Sequence, residues 1–184
     1  RVYLSEKSKL MGKPDAQFVF EPSENPFHLV GGTGQKVSSG ETSPETAFGL
    51  LLAELNAAKP EADIDLVRKA FEFAQEAHKG QLRQDGITPF IMHPLSAALV
   101  ILSEFEVIEE EAIAAALLHD VVEVTSVTIE DIRNKFGNDI AYKVGLLSKP
   151  PKDGITSTLE RNRDYYNALL GFPRVIQLIK VADI

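Results

Sequence analysis

The chain has 184 residues, of which 44% are hydrophobic and 25% are charged, and its formal net charge is −8. These values are those of an ordinary globular protein, and the length suits one compact domain with an additional arm. The acidic balance argues against non-specific nucleic-acid binding, which needs a basic surface. No apolar run approaches the roughly 20 residues that span a bilayer, so we expect no membrane contact.

Cysteine is absent from the sequence. Its absence excludes a disulfide framework, a thiolate zinc site and a cysteine nucleophile. A metal ion in this protein therefore needs His, Asp or Glu as its ligands. The composition as a whole predicts a soluble domain of a reducing compartment.

The first 60 residues are predicted to form a poorly structured arm or linker. Turn-forming pairs such as Asn25-Pro26 and Ser43-Pro44 are crowded into this stretch. One helix is predicted near residues 44–58, because Ser43 is a suitable N-cap and proline is favoured at the first helical position. One hypothesis for the arm is contact with a neighbouring subunit of a homo-oligomer, or with a missing downstream domain.

Residues 61–184 are predicted to form an all-α domain. Apolar side chains recur at helical spacing in Leu66, Ala70, Phe73 and Ala77, and Gly80 is typical of the end of such a helix. Comparable patterns predict further helices at residues 93–105, 109–123, 128–136, 138–147, 159–170 and 173–184. The segment 148–158 contains two prolines and a glycine, which predicts a loop that could lie over a site.

His119 and Asp120 stand near the end of the predicted helix 109–123, directly after the apolar run Ala112–Leu118. A run this apolar predicts a helix that is buried on nearly all sides. Burying an ionised aspartate is costly unless a cation or hydrogen bonds compensate. A divalent metal ion is the simplest compensation, and His93 and Asp183 are candidates for further ligands from other helices.

Glu123 strengthens this hypothesis, because it lies three residues after Asp120 and four after His119, on the same helical face. A carboxylate in this place could orient or deprotonate an attacking water molecule. The residues alone leave an alternative open for each position. An isolated histidine is more often a hydrogen-bonded core or surface residue, and an acid at a helix end is more often solvated.

Five motifs that follow one another in the chain resemble a known family. They are AHKGQLR at 77–83, PFIMHPL at 89–95, AAALLHDVVE at 114–123, FG at 136–137 and IKVAD at 179–183. Over about residues 64–184, this order of motifs resembles the HD-superfamily hydrolase domain of RelA/SpoT enzymes and of the small alarmone hydrolases.

The resemblance implies a helical bundle with one divalent metal ion, Mn²⁺, at its centre, in a cytoplasmic enzyme. This family removes the 3′-pyrophosphate from the guanine nucleotides ppGpp and pppGpp. By motif, the ligands of the metal ion would be His93, His119, Asp120 and Asp183.

The remaining site residues also follow from the resemblance. Glu123 would position or activate the attacking water, and Arg83 would face the nucleotide and contact or stack on its guanine. Gln84, the second candidate for substrate binding, stands where relatives often have a basic residue. His78 matches no ligand position and is interpreted as structural.

The sequence departs from the family's pattern in two places. Active relatives usually have Glu-Asp where this chain has Glu123-Val124. The change predicts slower catalysis, altered water positioning or an inactive domain, and it also fits a substitution made to trap a substrate. The chain ends one residue after Asp183, where the family continues with an asparagine and further helices, so we expect a fragment truncated at its C-terminus.

Two alternatives to alarmone hydrolysis stay open. The first is an HD phosphohydrolase that acts on another nucleotide or phosphoester, since one fold hosts several substrates. The second is a catalytically inactive domain that senses a nucleotide, which Val124 favours. A plain helical interaction module would leave the His119-Asp120 pair unexplained.

Overall fold

The computed structural model of the chain describes residues 42–150 and 157–183. The predicted arm over residues 1–41 and the central part of the predicted loop, residues 151–156, lie outside the described residues. Among the helices that are described, none combines the length and the apolar character needed to cross a membrane.

The described residues are helical, and the prediction of an all-α fold is confirmed. An isolated antiparallel bridge joins Leu82 to Pro89 in a turn between two of the helices. The helices in chain order are α1 (Pro44–Ala58), α2 (Ile64–Ala77), α3 (Met92–Ser103), α4 (Glu110–Leu118), α5 (Val121–Val124), α6 (Ile129–Phe136), α7 (Asn138–Leu147), α8 (Thr158–Leu169) and α9 (Arg174–Ala182).

Helix α1 occupies the range in which the sequence predicts a helix within the first 60 residues. Its side chains Leu51 and Leu55 are fully buried, and the helix packs against α3 and α2. The compact helical unit of the structure begins at Pro44. Turn signals dominate the sequence only up to Pro44, and the apolar face of α1 needs the helices that follow to cover it.

Helix α4 is the central element of this unit. Its residues Ala112–Leu118 are all buried, as the sequence predicts, because α2, α3 and α7 pack around it. Helix α9 packs against α3 and α7. This packing brings the start of α3, the end of α4 and the end of α9 to one place.

The prediction of one continuous helix over residues 109–123 is wrong, because α4 ends at Leu118 and the short α5 begins at Val121. His119 and Asp120 lie in the turn between them. Nδ1 of His119 lies 2.8 Å from the carbonyl oxygen of Ala116 and donates to it. A continuous helix would offer that carbonyl to the backbone N–H of Asp120, so the imidazole competes with the next helical bond.

Other helix ends follow the sequence closely. The capping box predicted at Thr128 and Asp131 is present, with each side chain accepting a hydrogen bond from the other residue's backbone N–H. Gly137 ends α6 with φ of 88°, a conformation that favours glycine. In α2 the fully buried stripe is Val67, Ala70, Phe71 and Ala74, so of the predicted apolar set only Ala70 is buried completely.

Candidate metal centre

Four side chains from three separate parts of the chain converge at the end of α4. His93 lies in the first turn of α3, His119 and Asp120 lie between α4 and α5, and Asp183 directly follows α9. Each offers one nitrogen or carboxylate oxygen, and these atoms all lie within 4.8 Å of one another. The structure thus brings together the four residues that the resemblance names as ligands.

His119 has the orientation that a metal ligand needs. Its side chain is fully buried, and a carbonyl oxygen can only accept, so Nδ1 carries the hydrogen that is donated to Ala116. Nε2 lies 2.9 Å from Oδ1 of Asp183 and 3.2 Å from Oδ1 of Asp120. If the imidazole is neutral, Nε2 carries a lone pair that points at two carboxylates. This arrangement requires a positive charge between Nε2 and the carboxylate oxygens.

His93 completes the cluster from the opposite side. Its Nε2 lies 2.7 Å from Oδ1 of Asp183 and 3.4 Å from Oδ2 of Asp120. The two imidazole rings meet edge to face, with their centroids 5.2 Å apart. Two imidazole nitrogens and two carboxylate oxygens are a donor set that suits Mn²⁺, Fe²⁺, Co²⁺ or Zn²⁺, so these residues fit a divalent transition metal.

The electrostatics of the cluster favour positive charge. Burial lowers the pKa of His119, but hydrogen bonds and charges from Asp120 and Asp183 outweigh it and raise the pKa to about 10. Burial raises the pKa of Asp183, but hydrogen bonds from His119 and His93 and the charge of Lys180 hold it far below its usual range. The field of the two carboxylates therefore exceeds the cost of burying a charge.

Lys180 contacts this cluster, and the sequence analysis missed it. The side chain is buried in α9, and Nζ donates to Oδ2 of Asp183 over 2.8 Å. Nζ also lies 5.8 Å from the ring centroid of Tyr165, whose hydroxyl donates to the carbonyl of Leu147 over 2.9 Å. The available signal is local, since Lys180 precedes Asp183 by three residues and stands between the apolar Ile179 and Val181.

Glu123 lies beside the four converging residues rather than among them. It is exposed on α5, and its Oε1 accepts a hydrogen bond from the backbone N–H of Lys149 over 2.7 Å. Its backbone N–H donates to the carbonyl of Asp120 over 3.1 Å, so it lies one helical turn from the cluster. A carboxylate at such an exposed edge can accept a proton from a bound molecule.

Arg83 and Gln84 are both exposed, on a turn that joins α2 to α3. The guanidinium of Arg83 lies 5.8 Å from the ring centroid of Phe90, and that ring meets His93 edge to face at 6.0 Å. Phe90 therefore connects Arg83 to the cluster. Asp85 stabilises the turn, since its carboxylate accepts hydrogen bonds from the backbone N–H groups of residues 87 and 88.

His78 and Gln81 link this turn to α5. His78 is buried, and its Nδ1 lies 2.9 Å from Oε1 of Gln81. Nε2 of Gln81 donates to the backbone carbonyl of Val124 over 3.1 Å. The amide nitrogen is thus used as a donor, so Oε1 accepts from His78. The sequence interpretation of His78 as structural stays a prediction, and its link to α5 through Gln81 was not foreseen.

Comparison with known proteins identifies the architecture around this site. A profile of the HD domain family matches residues 70–149. The chain contains an HD domain. The matched range includes His93, His119 and Asp120, whereas Asp183 lies beyond it and is brought to the same place by the packing of α9 against α3.

Curated relatives of the HD domain are much longer proteins. Over 131 residues the chain is 35% identical to the GTP pyrophosphokinase of Myxococcus xanthus. This match covers 67% of this chain and 17% of that protein. Over 128 residues it is 40% identical to the bifunctional (p)ppGpp synthase/hydrolase SpoT of Escherichia coli K12, covering 67% and 18% of the two chains. Over 120 residues it is 40% identical to the guanosine-3′,5′-bis(diphosphate) 3′-pyrophosphohydrolase of Aquifex aeolicus, covering 64% and 16%. The chain spans less than a fifth of the length of these relatives.

A solved structure is also similar. It is described as a metazoan ortholog of SpoT that hydrolyses ppGpp and has a role in starvation responses. The TM-score is 0.59 at 28% sequence identity, and the match covers 64% of this chain and 65% of that chain. The predicted resemblance to an HD domain with SpoT-like relatives is thereby confirmed.

Proposed function

We propose that this chain hydrolyses the 3′-pyrophosphate of ppGpp or pppGpp with the help of one divalent metal ion, Mn²⁺. The convergence of His93, His119, Asp120 and Asp183 within 4.8 Å is the observation that carries the proposal. The names of the relatives supply the substrate class, since several are pyrophosphohydrolases of this nucleotide. In the proposed reaction, water adds to the phosphorus next to the 3′ oxygen and the bond to that oxygen breaks, which releases pyrophosphate and leaves GDP or GTP.

In this proposal the four converging residues hold the metal ion, which when bound would supply positive charge for the phosphate oxygens and acidify a water molecule. Glu123, at the exposed edge of the site, accepts the proton of the attacking water. Arg83 contacts the guanine nucleotide with its guanidinium, which lies 5.8 Å from the ring centroid of Phe90. Gln84 on the same turn offers an amide in place of a positive charge.

The test adds Mn²⁺ back to the purified, metal-free chain and measures the release of pyrophosphate from ppGpp. We expect turnover with Mn²⁺, loss of turnover with a chelator and loss in the variant Asp120→Asn. The Asn side chain keeps the size of Asp but removes the charge that holds the cation. Turnover that persists in the chelator, or that is equal in Asp120→Asn, would contradict the proposal.

Val124 is the residue most informative about catalytic rate. It is exposed at the end of α5, one helical turn after Asp120, whose carbonyl accepts the backbone N–H of Val124 over 3.1 Å. A carboxylate at this position would stand next to Glu123. We expect Val124→Asp to raise kcat and the matched variant Val124→Asn, which adds polarity without charge, to raise it less.

A second candidate function is the sensing of a nucleotide without hydrolysis. The apolar Val124 beside Glu123 favours it, because no second carboxylate is available there to help orient water. Calorimetric titration with ppGpp separates the two functions. Binding without turnover in both the unaltered chain and Val124→Asp would favour sensing, whereas absence of binding would favour another nucleotide as the ligand.

A further inference from the structure

Lys180 is the one lysine that is buried among the described residues, with 5% of its surface exposed. Its ammonium reaches the candidate metal centre through a single contact, the 2.8 Å hydrogen bond from Nζ to Oδ2 of Asp183. Burying an ammonium is costly, and a positive charge beside a cation site also repels the cation. Because a lysine here carries both the cost of burial and the repulsion of a bound cation, we expect it to make a favourable contribution to the site.

We propose that Lys180 is a positioning residue that restricts Asp183 to coordination through one oxygen, and that it thereby sets the affinity and the selectivity of the metal centre. This inference rests on the proposed metal-dependent function. It concerns a residue outside the four converging side chains and a property, selectivity, that those four alone do not determine.

The geometry divides the two oxygens of Asp183 between different partners. Oδ1 faces the imidazoles, at 2.7 Å from Nε2 of His93 and 2.9 Å from Nε2 of His119. Oδ2 is held by Lys180 on the other side. A carboxylate whose second oxygen is bound in this way presents one oxygen to the cluster, and its rotation about χ2 is restrained.

Lys180 is itself held in place. Its stem lies in α9, and its ammonium lies 5.8 Å from the ring centroid of Tyr165. Tyr165 is anchored by hydrogen bonds from its hydroxyl to the carbonyls of Leu146 and Leu147 at the end of α7. The stem in α9 and the ring of Tyr165 restrain the ammonium on the Oδ2 side of Asp183.

One-oxygen coordination favours a small first-row transition metal over Ca²⁺. Ca²⁺ takes six to eight oxygen ligands and often binds a carboxylate through both oxygens. A cluster of two imidazole nitrogens and two single oxygens meets the preference of Mn²⁺ better. Freeing Oδ2 of Asp183 would give Ca²⁺ an additional oxygen, so selectivity is expected to fall when Lys180 is replaced.

Calorimetric titration of the metal-free chain with Mn²⁺ and, separately, with Ca²⁺ tests this inference. The variant Lys180→Met keeps the length and apolar stem but removes the donor, and Lys180→Gln keeps a donor without the charge. Lys69→Met removes a charge from the exposed surface of α2 and is the matched control. Circular dichroism of each metal-free variant shows whether it is folded before titration.

We expect Lys180→Met to weaken Mn²⁺ binding by about tenfold or more, as is usual for lost outer-shell partners, while Ca²⁺ binding weakens less or improves. The Mn²⁺ affinity of Lys180→Gln is expected to lie between those of the unaltered chain and Lys180→Met. Lys69→Met is expected to bind Mn²⁺ as tightly as the unaltered chain. If Lys180→Met does not fold, the folded Lys180→Gln decides, because it must still lower the preference for Mn²⁺ over Ca²⁺.

Four results would overturn the inference. Tighter Mn²⁺ binding in either Lys180 variant would mean that the lysine acts only by repelling the cation. Equal weakening for Mn²⁺ and Ca²⁺ would mean a general structural role. Absence of Mn²⁺ binding in the unaltered chain would overturn the proposed function together with this inference, whereas normal binding there with unchanged variants would overturn the inference alone.

Discussion

The two ends of α4 both carry buried charged groups, but they are built differently. At the N-terminal end, Oε2 of Glu110 accepts from Nζ of Lys59 over 2.7 Å, and Oε1 accepts from the backbone N–H of Asp63 over 2.8 Å. At the C-terminal end, two carboxylates converge with two imidazoles and a single ammonium. At the N-terminal end hydrogen-bond donors and acceptors are balanced, whereas the C-terminal end has an excess of acceptors.

This difference separates a structural pair from a binding site. Each oxygen of Glu110 has its own donor, so a further ligand would have nothing to bind there. At the other end Oδ1 of Asp183 faces both imidazole nitrogens, and a neutral His119, whose hydrogen is on Nδ1, has none to donate to it. Buried polar groups that lack a donor are expected to obtain one from a ligand, here a cation.

The largest expected effect comes from the C-terminal end of α4. Asp120→Asn is expected to weaken Mn²⁺ binding by more than about 100-fold, because even outer-shell partners contribute about 10–100-fold. A ligand at a hundred times its Kd stabilises a protein by about 2.7 kcal/mol, so Mn²⁺ should raise the melting temperature of the unaltered chain markedly. Thermal melts with and without Mn²⁺ measure this. An equal shift in Asp120→Asn would show that the metal ion binds elsewhere.

The N-terminal end should respond in stability and not in metal binding. Glu110→Ala leaves the backbone N–H of Asp63 without its acceptor and is expected to lower the free energy of unfolding by about 1–3 kcal/mol. The residues 110 and 119 are about 13 Å apart along the helix, so the Kd for Mn²⁺ should not change. Urea unfolding and calorimetry check the two parts. A Kd altered as strongly as in Asp120→Asn would mean that the ends of α4 are coupled.

A smaller effect is expected from the contact that supports α5. Gln81→Leu removes the hydrogen bond to the carbonyl of Val124, which holds the turn carrying Glu123, and also removes the acceptor of the buried His78. One net hydrogen bond is worth about 1 kcal/mol, so kcat for ppGpp should fall by about fivefold while Mn²⁺ binding stays the same. Gln75→Leu, which removes a surface contact between α2 and Glu45, is the matched control. Equal kinetics in the two variants would exclude a positioning role for Gln81.

Much of the fold is predictable from the sequence because the helices carry local end signals. The capping box at Thr128 and Asp131 and the glycine at 137 mark the limits of α6 without reference to the rest of the chain. The interruption at His119-Asp120 is not predictable in this way. The apolar pattern continues across it, and a side-chain hydrogen bond to the carbonyl of Ala116 decides where α4 ends.

The candidate site shows the same division. His93, His119, Asp120 and Asp183 can be named from their motifs, and the structure brings the four together. The ammonium of Lys180 also lies against the ring of Tyr165, which is fifteen residues earlier on a different helix. Contacts of this kind depend on how helices pack, and no local pattern in the sequence encodes them.

The smallest expected effect is the acid response of Glu110. Burial raises the pKa of this carboxyl, but hydrogen bonds from Lys59 and from backbone N–H groups outweigh it and hold the pKa below its usual value of 4.5. The unfolded chain therefore binds a proton at higher pH than the folded chain does. The stability that the ionised carboxylate contributes is fully present above pH 4.5 and is lost as the pH falls through the lowered pKa.

Glu110→Gln isolates this contribution, because the amide has a similar shape but does not titrate in this range. Other carboxylates with lowered pKa values, such as Asp131 and Glu160, occur in both chains and cancel in the difference. Urea unfolding at about pH 7, 5 and 3.5 should show the unaltered chain losing its advantage over Glu110→Gln only toward the lowest pH. A difference that stays constant, or that grows on acidification, would mean that the charge of Glu110 does not stabilise this end of α4.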